Sequence, residues 1–417
     1  MKRAIVKGGR KLEGAVEVSG SKNAALPILA ATILTQGESI ISGVPHLLDV
    51  TTIVRVLRSL GLRAEYHEPG TVKIWNNHAI RHVAPYELVT KMRASFFVIG
   101  PILARTGLAK IPLPGGCAIG SRPVNLHIKG LEAMGAEVEM ENGFVIVKAD
   151  SLKGGRIYLD YPSVGATESI MMAATLAEGE TLIENTAQEP EIVDLANFLI
   201  QAGGKIEGAG SEKIKVEGVK NLRGIKYKVI PDRIEAGTLM IAGAISGSQI
   251  LVKGVIPGHL ESTMNKLQEA GVELEVEGDA VRVKAQGKVK AVDVKTLPFP
   301  GFPTDMQPQF TALMSVAEGI SVVTETVFEN RFIHVHELKR MGADIKLEDR
   351  SAIIRGVKEL SGAPVRVSDL RAGAALLLAG LMAEGETRIE DLERHIDRGY
   401  EKLPAKLNSL GAEIKEL

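Results

Sequence analysis

The stretch Leu131-Glu132-Ala133-Met134-Gly135-Ala136-Glu137-Val138-Glu139-Met140 contains the pattern that decides the fold. Leu131 and Met134 have the i, i+3 spacing of the last turn of an amphipathic helix, and Gly135 follows where a left-handed backbone conformation costs little. The five residues after this glycine alternate apolar and polar side chains, as a half-buried strand does. The stretch therefore predicts the end of a helix, a tight turn and a strand.

The same pattern of leucine, two residues, an apolar or small residue and glycine occurs six times, in a slightly loosened form in the first copy. The copies lie at 57–61, 131–135, 199–203, 267–271, 338–342 and 407–411. Their glycines are 74, 68, 68, 71 and 69 residues apart. Such a regular period is typical of a repeat architecture, so the sequence predicts six structural repeats.

A second series of glycines marks an earlier helix in every repeat. Each of them follows a run rich in Ala, Leu, Ile and Met and precedes a short apolar strand; they are Gly37, Gly107, Gly179, Gly247, Gly319 and Gly385. The two interleaved series predict a repeat with the order strand, helix, strand, helix, strand, strand. The predicted fold class is therefore α/β, because unrelated helix ends would not give two series with matched spacing.

The two ends of the chain complement each other. The last repeat ends with residues 412–417 and lacks its return strand. Residues 3–7 and 12–18 have the alternation expected of the missing piece. We therefore expect the amino-terminal strand to pair with the last repeat.

This pairing predicts two domains. Repeats one to three would form one domain at 22–229, which carries the loop around Cys117, and residues 1–21 with 230–417 would form a discontinuous second domain. Two linkers, near Ser21 and Ile230, would then connect the domains and act as a hinge beside a cleft.

The charge and cysteine content limit the function classes. Lys and Arg number 50 against 51 for Asp and Glu, which leaves no excess positive charge for a nucleic-acid backbone or an anionic membrane. The single cysteine excludes an intramolecular disulfide and a zinc site of the usual Cys/His spacing. The start of the chain has no apolar signal segment, and no run approaches the roughly 18 apolar residues of a membrane span. The expected location is the cytoplasm.

Cys117, the only cysteine, lies in the glycine-rich stretch Pro114-Gly115-Gly116-Cys117-Ala118-Ile119-Gly120-Ser121-Arg122-Pro123. A free cysteine is usually buried and behaves as a small apolar side chain. A thiol on a loop of Gly and Pro is more accessible, and the nearby Arg122 guanidinium favours the reactive thiolate. The surroundings therefore favour a reactive Cys117 over a structural one.

Most of the polar and charged candidate site residues lie at the start of the first helix of each repeat. These helix starts are 21–24, 91–95, 163–168, 232–237, 303–307 and 369–373. Four of them contain a cation, Lys22, Arg93, Arg233 or Arg371, although a cation is unfavourable at the positive end of a helix dipole. A phosphorylated ligand or partner carboxylates would explain these cations. If the helix starts converge, they form a strongly cationic site without unusual net charge.

Asp305 and the histidines are further candidates. Asp305 follows two Pro-containing turns at a predicted helix start, where it is either an N-terminal cap or a carboxylate base. Among His127, His334, His336 and His395, only His334 and His336 have a spacing that fits a metal. We predict that this pair is exposed on a strand or loop, and we expect no metal site.

Eight segments complete the sequence evidence. They are Ser21-Lys22-Asn23-Ala24-Ala25, Arg93-Ala94-Ser95, Pro114-Gly115-Gly116-Cys117 with Arg122-Pro123-Val124-Asn125-Leu126-His127, Ser163-Val164-Gly165-Ala166-Thr167, Thr304-Asp305-Met306-Gln307, Glu329-Asn330-Arg331-Phe332, Asp369-Leu370-Arg371-Ala372-Gly373 and Asp397-Arg398-Gly399-Tyr400. Together they resemble the bacterial UDP-N-acetylglucosamine enolpyruvyl transferases of the EPSP synthase superfamily, essentially end to end. The cysteine loop and the last segment are specific to that family. The resemblance implies two domains of three βαβαββ repeats each, in an inside-out α/β barrel.

The resemblance also implies a reaction. Members of this family move the enolpyruvyl group of phosphoenolpyruvate to the 3′-hydroxyl of UDP-N-acetylglucosamine and release phosphate, by addition and then elimination, in the first committed step of peptidoglycan synthesis. Cys117 matches the general acid, which can also form a covalent phosphothioketal, and Asp305 would accept the hydroxyl proton. The implied catalytic residues are Cys117, Asp305, Lys22 and Arg398.

The implied binding residues fall into two sets. Phosphoenolpyruvate would contact Lys22, Asn23, Arg122, Arg331, Arg371 and Arg398. UDP-N-acetylglucosamine would contact Asn23, Arg93, Arg122, Pro123, Val124, Asn125, Leu126, His127, Tyr161, Pro162, Ser163, Val164, Asp305 and Val327. Many relatives have Asp in place of Asn125, a difference that would change affinity rather than reaction type. The resemblance implies no metal, organic cofactor, nucleic acid or membrane partner, and favours a monomer.

Two other functions remain open. The same fold hosts the enolpyruvyl transferase that acts on shikimate 3-phosphate, which does not carry the Pro-Gly-Gly-Cys loop. A paralogue that binds the nucleotide sugar without turnover is the other alternative. Such a protein has no need of an acid and a base together, and this chain has both Cys117 and Asp305.

Overall fold

The computed structural model describes residues 3–77, 79–90, 92–113, 119–120, 124–245 and 247–417, without the side chains of Arg93, Glu393 and Arg394. The chain divides into two compact lobes. The first lobe comprises the described residues of 20–116 and 122–230, and the second comprises those of 1–19, 117–121 and 231–417. Each lobe contains three of the predicted repeats.

The helices and strands follow the predicted order, except that the second repeat has no opening strand among the described residues. The chain begins with β1 (Ala4–Lys7) and β2 (Glu13–Glu17). The first lobe then contains α1 (Lys22–Ala31), β3 (Thr35–Ser42), α2 (Leu48–Ser59), β4 (Arg63–His67), β5 (Thr71–Asn76), α3 (Tyr86–Val89), a 3-10 helix (Arg93–Val98), α4 (Ile99–Thr106), β6 (Leu108–Pro112), α5 (Asn125–Ala133), β7 (Glu137–Glu141), β8 (Phe144–Lys148), β9 (Arg156–Tyr158), α6 (Val164–Ala174), β10 (Glu180–Glu184), α7 (Pro190–Gln201), β11 (Lys205–Glu207), β12 (Lys213–Glu217), β13 (Leu222–Arg223) and β14 (Lys226–Lys228).

The second lobe repeats this order. It contains α8 (Arg233–Gly243), β15 (Gln249–Lys253), a 3-10 helix (Pro257–His259), α9 (Glu261–Glu269), β16 (Glu273–Glu277), β17 (Ala280–Lys284), β18 (Val294–Lys295), a 3-10 helix (Thr304–Met306), α10 (Gln307–Met314), β19 (Ile320–Thr324), α11 (Val335–Arg340), β20 (Asp344–Glu348), β21 (Ser351–Arg355), β22 (Leu360–Ser361), β23 (Pro364–Arg366), α12 (Leu370–Met382), β24 (Ala383–Glu384), β25 (Glu386–Glu390), α13 (Leu392–Ile396), α14 (Leu403–Ser409) and β26 (Glu413–Glu416).

The main sheets of the repeats share one strand order. In the second lobe the sheets are β2-β15-β17-β16, β18-β19-β21-β20 and β23-β25-β1-β26. In the first lobe they are β9-β10-β12-β11, β6-β8-β7, and β3-β5-β4 with β13 and β14 beside β3. Every one of these sheets except β6-β8-β7 has an additional strand at one edge, and this strand runs parallel to its neighbour. The other strand pairs in these sheets are antiparallel. This repeated order confirms the α/β repeat fold that the glycine spacing predicts.

The amino-terminal segment supplies strands to two repeats. In β1, Val6 lies opposite Ile414 of β26 and opposite Thr387 of β25, so the predicted pairing of the first strand with the last repeat is confirmed. The assignment of residues 12–18 to the same missing piece is wrong. Within that range, β2 instead runs parallel to β15 in the sheet of the fourth repeat. It fills the parallel edge position there, as β13 and β14 do beside β3.

The helices that open the repeats are buried on nearly all sides. This holds for α1 and α6 in the first lobe and for α8, α10 and α12 in the second. The strands instead keep one face exposed, as in β12, where exposed Lys213 precedes buried Ile214. A helix that is apolar all round belongs in a core. Each lobe therefore has helices inside and sheets outside, the inside-out arrangement that the resemblance implies.

Local chemistry explains where these helices begin and end. All twelve glycines of the two series have φ between 71° and 118°, a conformation that side chains other than glycine rarely adopt. The starts of α1, α6, α8 and α12 share a side-chain cap that accepts backbone N–H groups; the caps are Ser21, Ser163, Asp232 and Asp369. The predicted helix starts are therefore confirmed, and so are the helix ends at the first glycine series, such as Gly135 after α5. In the second series Gly107 directly follows α4, whereas the other five lie farther beyond their helices and Gly37 lies inside β3. In the part of the chain that the structure describes, no helix is long and apolar enough to cross a membrane.

Glu235 is a buried carboxyl group on α8 that ties together three parts of the second lobe. Its carboxylate binds the Lys406 ammonium from α14 and accepts the Ser19 N–H at 3.4 Å. Burial raises the pKa of Glu235 to about 7, although Lys406 acts in the opposite direction. The ordinary value is 4.5, so the folded protein holds one proton more than the unfolded chain between these two values.

This extra proton makes stability depend on pH. The contribution of Glu235 to the free energy of unfolding should fall by on the order of 3 kcal/mol as the pH rises from about 4.5 to about 7, and stay level above that. Urea unfolding midpoints of the wild type and Glu235→Gln should therefore diverge across this window. Lys406→Met should extend the window to higher pH, because Lys406 lowers the pKa of Glu235 only in the folded protein. A difference between the two proteins that does not vary with pH would show that Glu235 is charged in the folded state throughout.

Candidate active site

Asp305 lies between two buried arginines of the second lobe. Its Oδ1 accepts a hydrogen bond from Arg331 Nη2 at 2.9 Å, and its Oδ2 accepts two from Arg371, at 2.7 Å from Nη2 and at 3.1 Å from Nε. Both arginine side chains are 2% exposed, whereas the Asp305 side chain is 27% exposed. The arginines therefore orient the carboxylate and leave part of it in contact with solvent.

Two helix starts bring these residues together. Asp305 lies inside the 3-10 helix Thr304–Met306, whose cap position is Pro303 and which leads into α10. Arg371 is the second residue of α12, and its N–H donates to the capping Asp369 at 2.9 Å. The interpretation of Asp305 as a helix cap is therefore wrong. The cation at the start of α12 has a carboxylate partner, one of the two explanations that the sequence left open.

Glu325 connects the Asp305 segment to the loop after β19. Its Oε2 accepts a hydrogen bond from Thr304 Oγ1 at 2.8 Å, and its Oε1 accepts the Val327 N–H and the Thr296 hydroxyl, each at 2.8 Å. Glu325 is 1% exposed. No local motif marks Glu325 in the sequence, because two of its partners lie 21 and 29 residues away.

Two buried nitrogen atoms of the arginine pair have no hydrogen-bond partner among the described residues. They are Arg371 Nη1 and Arg331 Nε. Burial would lower the pKa of Arg371, but the Asp305 carboxylate more than offsets this, so the pKa is raised and the group stays charged. A buried charged donor without an acceptor is costly, and both nitrogens are therefore suited to an anionic ligand.

His334 is buried, so the prediction of an exposed pair on a strand or loop is wrong for this residue. His336 is exposed as predicted, but it lies on the helix α11. The His334 ring Nδ1 lies 3.1 Å from the Arg331 carbonyl oxygen. Burial lowers the pKa of His334 to about 4, which keeps the ring neutral at pH 7. The apolar neighbours Phe332 and Val335 are also buried, so this turn packs into the core.

Within the described ranges, no group of three or more His, Cys, Asp or Glu side chains could hold a metal ion.

Arg398 is half-buried in the turn that follows α13. Its N–H donates to the His395 carbonyl at 3.3 Å, and the Tyr400 N–H donates to the Ile396 carbonyl at 2.9 Å. Tyr400 is 1% exposed, and its ring centroid lies 5.1 Å from Cζ of Arg371. Tyr400, the last residue of the segment Asp397-Arg398-Gly399-Tyr400, thus connects the turn with Arg398 to the Asp305 site.

Lys22 is the first residue of α1 in the first lobe. Its Nζ lies 3.4 Å from Asp49 Oδ2, and the two side chains are 11% and 6% exposed. The cation at this helix start therefore also has a carboxylate partner. The neighbouring Asn23 is half-buried.

His127 and Ser163, both predicted to contact a nucleotide sugar, lie at neighbouring helix starts of the first lobe. His127 is 9% exposed and packs edge-on against Phe96, with ring centroids 5.2 Å apart. Gly165 lies against the same ring, since a Cβ added there would stand 3.3 Å from two ring atoms of His127. Ser163 Oγ caps α6 by accepting the Ala166 N–H at 3.4 Å. The starts of α5 and α6 are therefore adjacent.

The other predicted binding residues have mixed exposure. Asn125 and Tyr161 are exposed. Those that are half-buried are Val124, Leu126, Pro162 and Val164 in the first lobe and Val327 in the second. Three predicted site residues lie outside the described residues, as does one side chain: Cys117, Arg122 and Pro123, and the side chain of Arg93.

Two residues from the end of the glycine-rich stretch, Ile119 and Gly120, are described and belong to the second lobe. The Asn330 N–H donates to the Ile119 carbonyl at 3.0 Å. Gly120 has φ 138°, and a Cβ added there would stand 2.2 Å from Glu329 Oε2. These contacts attach the chain shortly after Cys117 to the turn at 329–330.

Fold and site together define a two-lobed α/β protein with an arginine-clamped carboxylate. A family model described as EPSP synthase (3-phosphoshikimate 1-carboxyvinyltransferase) matches residues 6–407, and the chain belongs to this family. It is 55% identical to UDP-N-acetylglucosamine 1-carboxyvinyltransferase 2 of Carboxydothermus hydrogenoformans over 100% of both chains. It is also 55% identical to UDP-N-acetylglucosamine 1-carboxyvinyltransferase 1 of Caldanaerobacter subterraneus over 98% of both chains. The protein of the same name from Staphylococcus aureus is 54% identical over 100% of both chains.

Solved structures show the same fold. The enolpyruvyl transferase NikO from Streptomyces tendae is 26% identical, with a TM-score of 0.88 over 100% of this chain and 98% of that one. An EPSP synthase from Acinetobacter baumannii is 21% identical, with a TM-score of 0.78 over 100% of this chain and 99% of that one. The predicted fold class is therefore confirmed.

Proposed function

We propose that this protein transfers the enolpyruvyl group of phosphoenolpyruvate to the 3′-hydroxyl of UDP-N-acetylglucosamine and releases phosphate. The observation that carries this proposal is the identity of 54–55%, over essentially the full length, to relatives named for this activity. The reaction is the first committed step of peptidoglycan synthesis.

The chemistry is an addition followed by an elimination. The 3′-oxygen attacks C2 of phosphoenolpyruvate, Asp305 accepts the hydroxyl proton, and Cys117 gives a proton to C3, which yields a tetrahedral intermediate. Elimination then removes a proton from C3 and expels phosphate from C2, leaving an enol ether on the sugar. The orientation and partial exposure of Asp305 support its role as the base. A covalent phosphothioketal forms when a thiol adds across the C2=C3 double bond instead, so that the Cys117 sulfur bonds C2 and a proton goes to C3.

Phosphoenolpyruvate carries a phosphate and a carboxylate, and the proposed site supplies cations for both. The buried nitrogens of Arg331 and Arg371 that have no described partner support this assignment. The remaining members of the proposed set are Lys22, Asn23, Arg122 and Arg398. Lys22 belongs to the first lobe and Arg398 to the second.

The nucleotide sugar would contact the helix starts of the first lobe. The adjacency of His127 and Ser163 supports this assignment. Exposed Asn125 and Tyr161 are accessible to a ligand, whereas Val327 and Asp305 would contribute from the second lobe. The other proposed contacts are Asn23, Arg93, Arg122, Pro123, Val124, Leu126, Pro162 and Val164.

The proposal includes the organisation of the protein. Residues 22–229 would form one domain, and residues 1–21 with 230–417 the other, connected by two linkers. The enzyme would act in the cytoplasm as a monomer.

Phosphate release with each acceptor tests the proposed function. Purified protein with phosphoenolpyruvate should release phosphate when UDP-N-acetylglucosamine is present, and not with shikimate 3-phosphate, the acceptor in the family model's description. Phosphate release with shikimate 3-phosphate but not with UDP-N-acetylglucosamine would show that shikimate 3-phosphate is the acceptor. Binding of the nucleotide sugar without any phosphate release would instead identify a non-catalytic paralogue.

A further inference from the structure

Tyr400 connects three parts of the second lobe behind the Asp305 site. Its side chain is buried, and its hydroxyl oxygen lies 2.9 Å from Gln309 Nε2 and 3.1 Å from Thr238 Oγ1. Thr238 lies on α8 and Gln309 on α10, whereas Tyr400 itself follows α13. The hydroxyl therefore holds the turn after α13 against two core helices.

The hydrogen bonds of this hydroxyl have a defined direction. The Thr238 hydroxyl donates to the Ile234 carbonyl at 2.8 Å, so its only hydrogen is used within α8. The Tyr400 hydroxyl therefore donates to Thr238 Oγ1 and accepts from the Gln309 amide. Burial raises the pKa of Tyr400, so the side chain stays neutral. A neutral, fully hydrogen-bonded phenol is well suited to a fixed structural position.

The ring of Tyr400 also supports Arg371. The guanidinium Cζ lies 5.1 Å from the ring centroid, while its Nε and Nη2 bind Asp305. A cation that has lost its water is attracted to the face of an aromatic ring. Arg331, on the other side of Asp305, has a similar contact with Phe328 at 5.6 Å. Arg331 and Arg371, the two arginines that bind Asp305, thus each have an aromatic ring beside them.

We propose that Tyr400 is a positioning residue for the reaction. Its ring holds Arg371 against Asp305, and its hydroxyl anchors the turn that carries Arg398. The inference rests on the proposed function, in which both arginines bind phosphoenolpyruvate and Asp305 is the base. Tyr400 acts through these residues and touches neither substrate.

Two substitutions separate the ring from the hydroxyl. Tyr400→Leu removes both, and it should raise the KM for phosphoenolpyruvate about 30-fold, which corresponds to about 2 kcal/mol. The KM for UDP-N-acetylglucosamine should rise far less, because Asp305 is the only one of its proposed contacts that Arg371 holds. Tyr400→Phe keeps the ring and should raise the KM for phosphoenolpyruvate by roughly three- to tenfold, through loss of the hydroxyl's hydrogen bonds.

The pH profile gives a second readout that a merely structural role would not change. In Tyr400→Leu, the acidic limb of the kcat profile should move to higher pH, because the Asp305 carboxylate loses part of the support from Arg371. In Tyr400→Phe, this limb should stay where it is in the wild type.

Tyr227→Leu is a matched control in the first lobe. Tyr227 is also buried, its hydroxyl donates to Asp194 Oδ1 at 2.6 Å, and its ring packs edge-on against Phe198. This variant should lose stability without a selective change in the KM for phosphoenolpyruvate. If Tyr400→Leu behaves like Tyr227→Leu in both KM and pH profile, the positioning role is refuted. If Tyr400→Leu does not fold, an unchanged KM for phosphoenolpyruvate in Tyr400→Phe refutes it.

A ligand-free crystal structure distinguishes failure of this inference from failure of the proposed function. Absence of phosphate release by the wild type would refute the proposed function. The role of Tyr400 is then judged from the Tyr400→Leu structure, in which the contacts between Arg371 and Asp305 should lengthen beyond hydrogen-bonding distance. Contacts that remain at 2.7 and 3.1 Å would refute the role of the tyrosine.

Discussion

Cys117→Ala should lower turnover about 10²- to 10⁴-fold, the usual contribution of a general acid. In the proposed reaction the C3 methylene must gain a proton as the 3′-oxygen attacks C2, and alanine has no proton to give. The variant should also lose the covalent phosphothioketal. Steady-state phosphate release measures the first effect, and the mass of the intact protein incubated with phosphoenolpyruvate measures the second.

The single cysteine makes this experiment easy to interpret, because any thiol adduct must form at Cys117. Cys117→Ser is the matched control: it keeps the approximate size of the side chain, but its hydroxyl is a much weaker acid than a thiol. It should also show low turnover and no phosphothioketal. Full activity of Cys117→Ala would exclude the thiol as the acid, and a mass increase that persists in this variant would place the adduct on another residue.

Asp305→Asn should have the second large effect, on stability and turnover together. The substitution removes the negative charge between Arg331 and Arg371, both 2% exposed, and leaves two buried cations without their counter-charge. Breaking a buried ion pair in this way lowers the free energy of unfolding by about 3–5 kcal/mol. Loss of the base should lower turnover about 10²- to 10⁴-fold. Urea unfolding and phosphate release measure the two effects.

Asp293→Asn is the control for this substitution. Asp293 is exposed and accepts the Val322 N–H at 2.7 Å, so the same chemical change there should alter neither stability nor turnover strongly. Stability of Asp305→Asn equal to that of the control would contradict neutralisation of the two arginines. Turnover equal to that of the control would contradict the role of Asp305 as base.

Much of the fold could be predicted because its signals are local. A glycine such as Gly135 ends a helix through its own backbone conformation, and a cap such as Asp369 begins one through hydrogen bonds within the next turn. Strand alternation is equally local, but it does not identify the partner strand. This is why residues 12–18 were recognised as a strand and assigned to the wrong sheet.

The site was predicted less completely, for the same reason. Asp305 and Arg371 lie at helix starts. The sequence marks Asp305 by the two Pro-containing turns before it, and Arg371 because a cation is unfavourable at this end of a helix. Glu325 has no such mark, and Tyr400 is marked only as part of the segment 397–400 without a role of its own. Both act through partners that are distant in the sequence. His334 was misjudged, since its spacing from His336 says nothing about which of the two faces the core.

The amino-acid sequence by itself determined the six repeats, their helix boundaries and the identity of the polar residues at the helix starts. These depend on interactions within a few residues, where side-chain type and spacing are sufficient. Only the tertiary structure decided that Asp305 is held between Arg331 and Arg371, and that Tyr400 lies behind them. Those contacts join residues 26 and more positions apart, and only the packing of the core helices can bring such residues together.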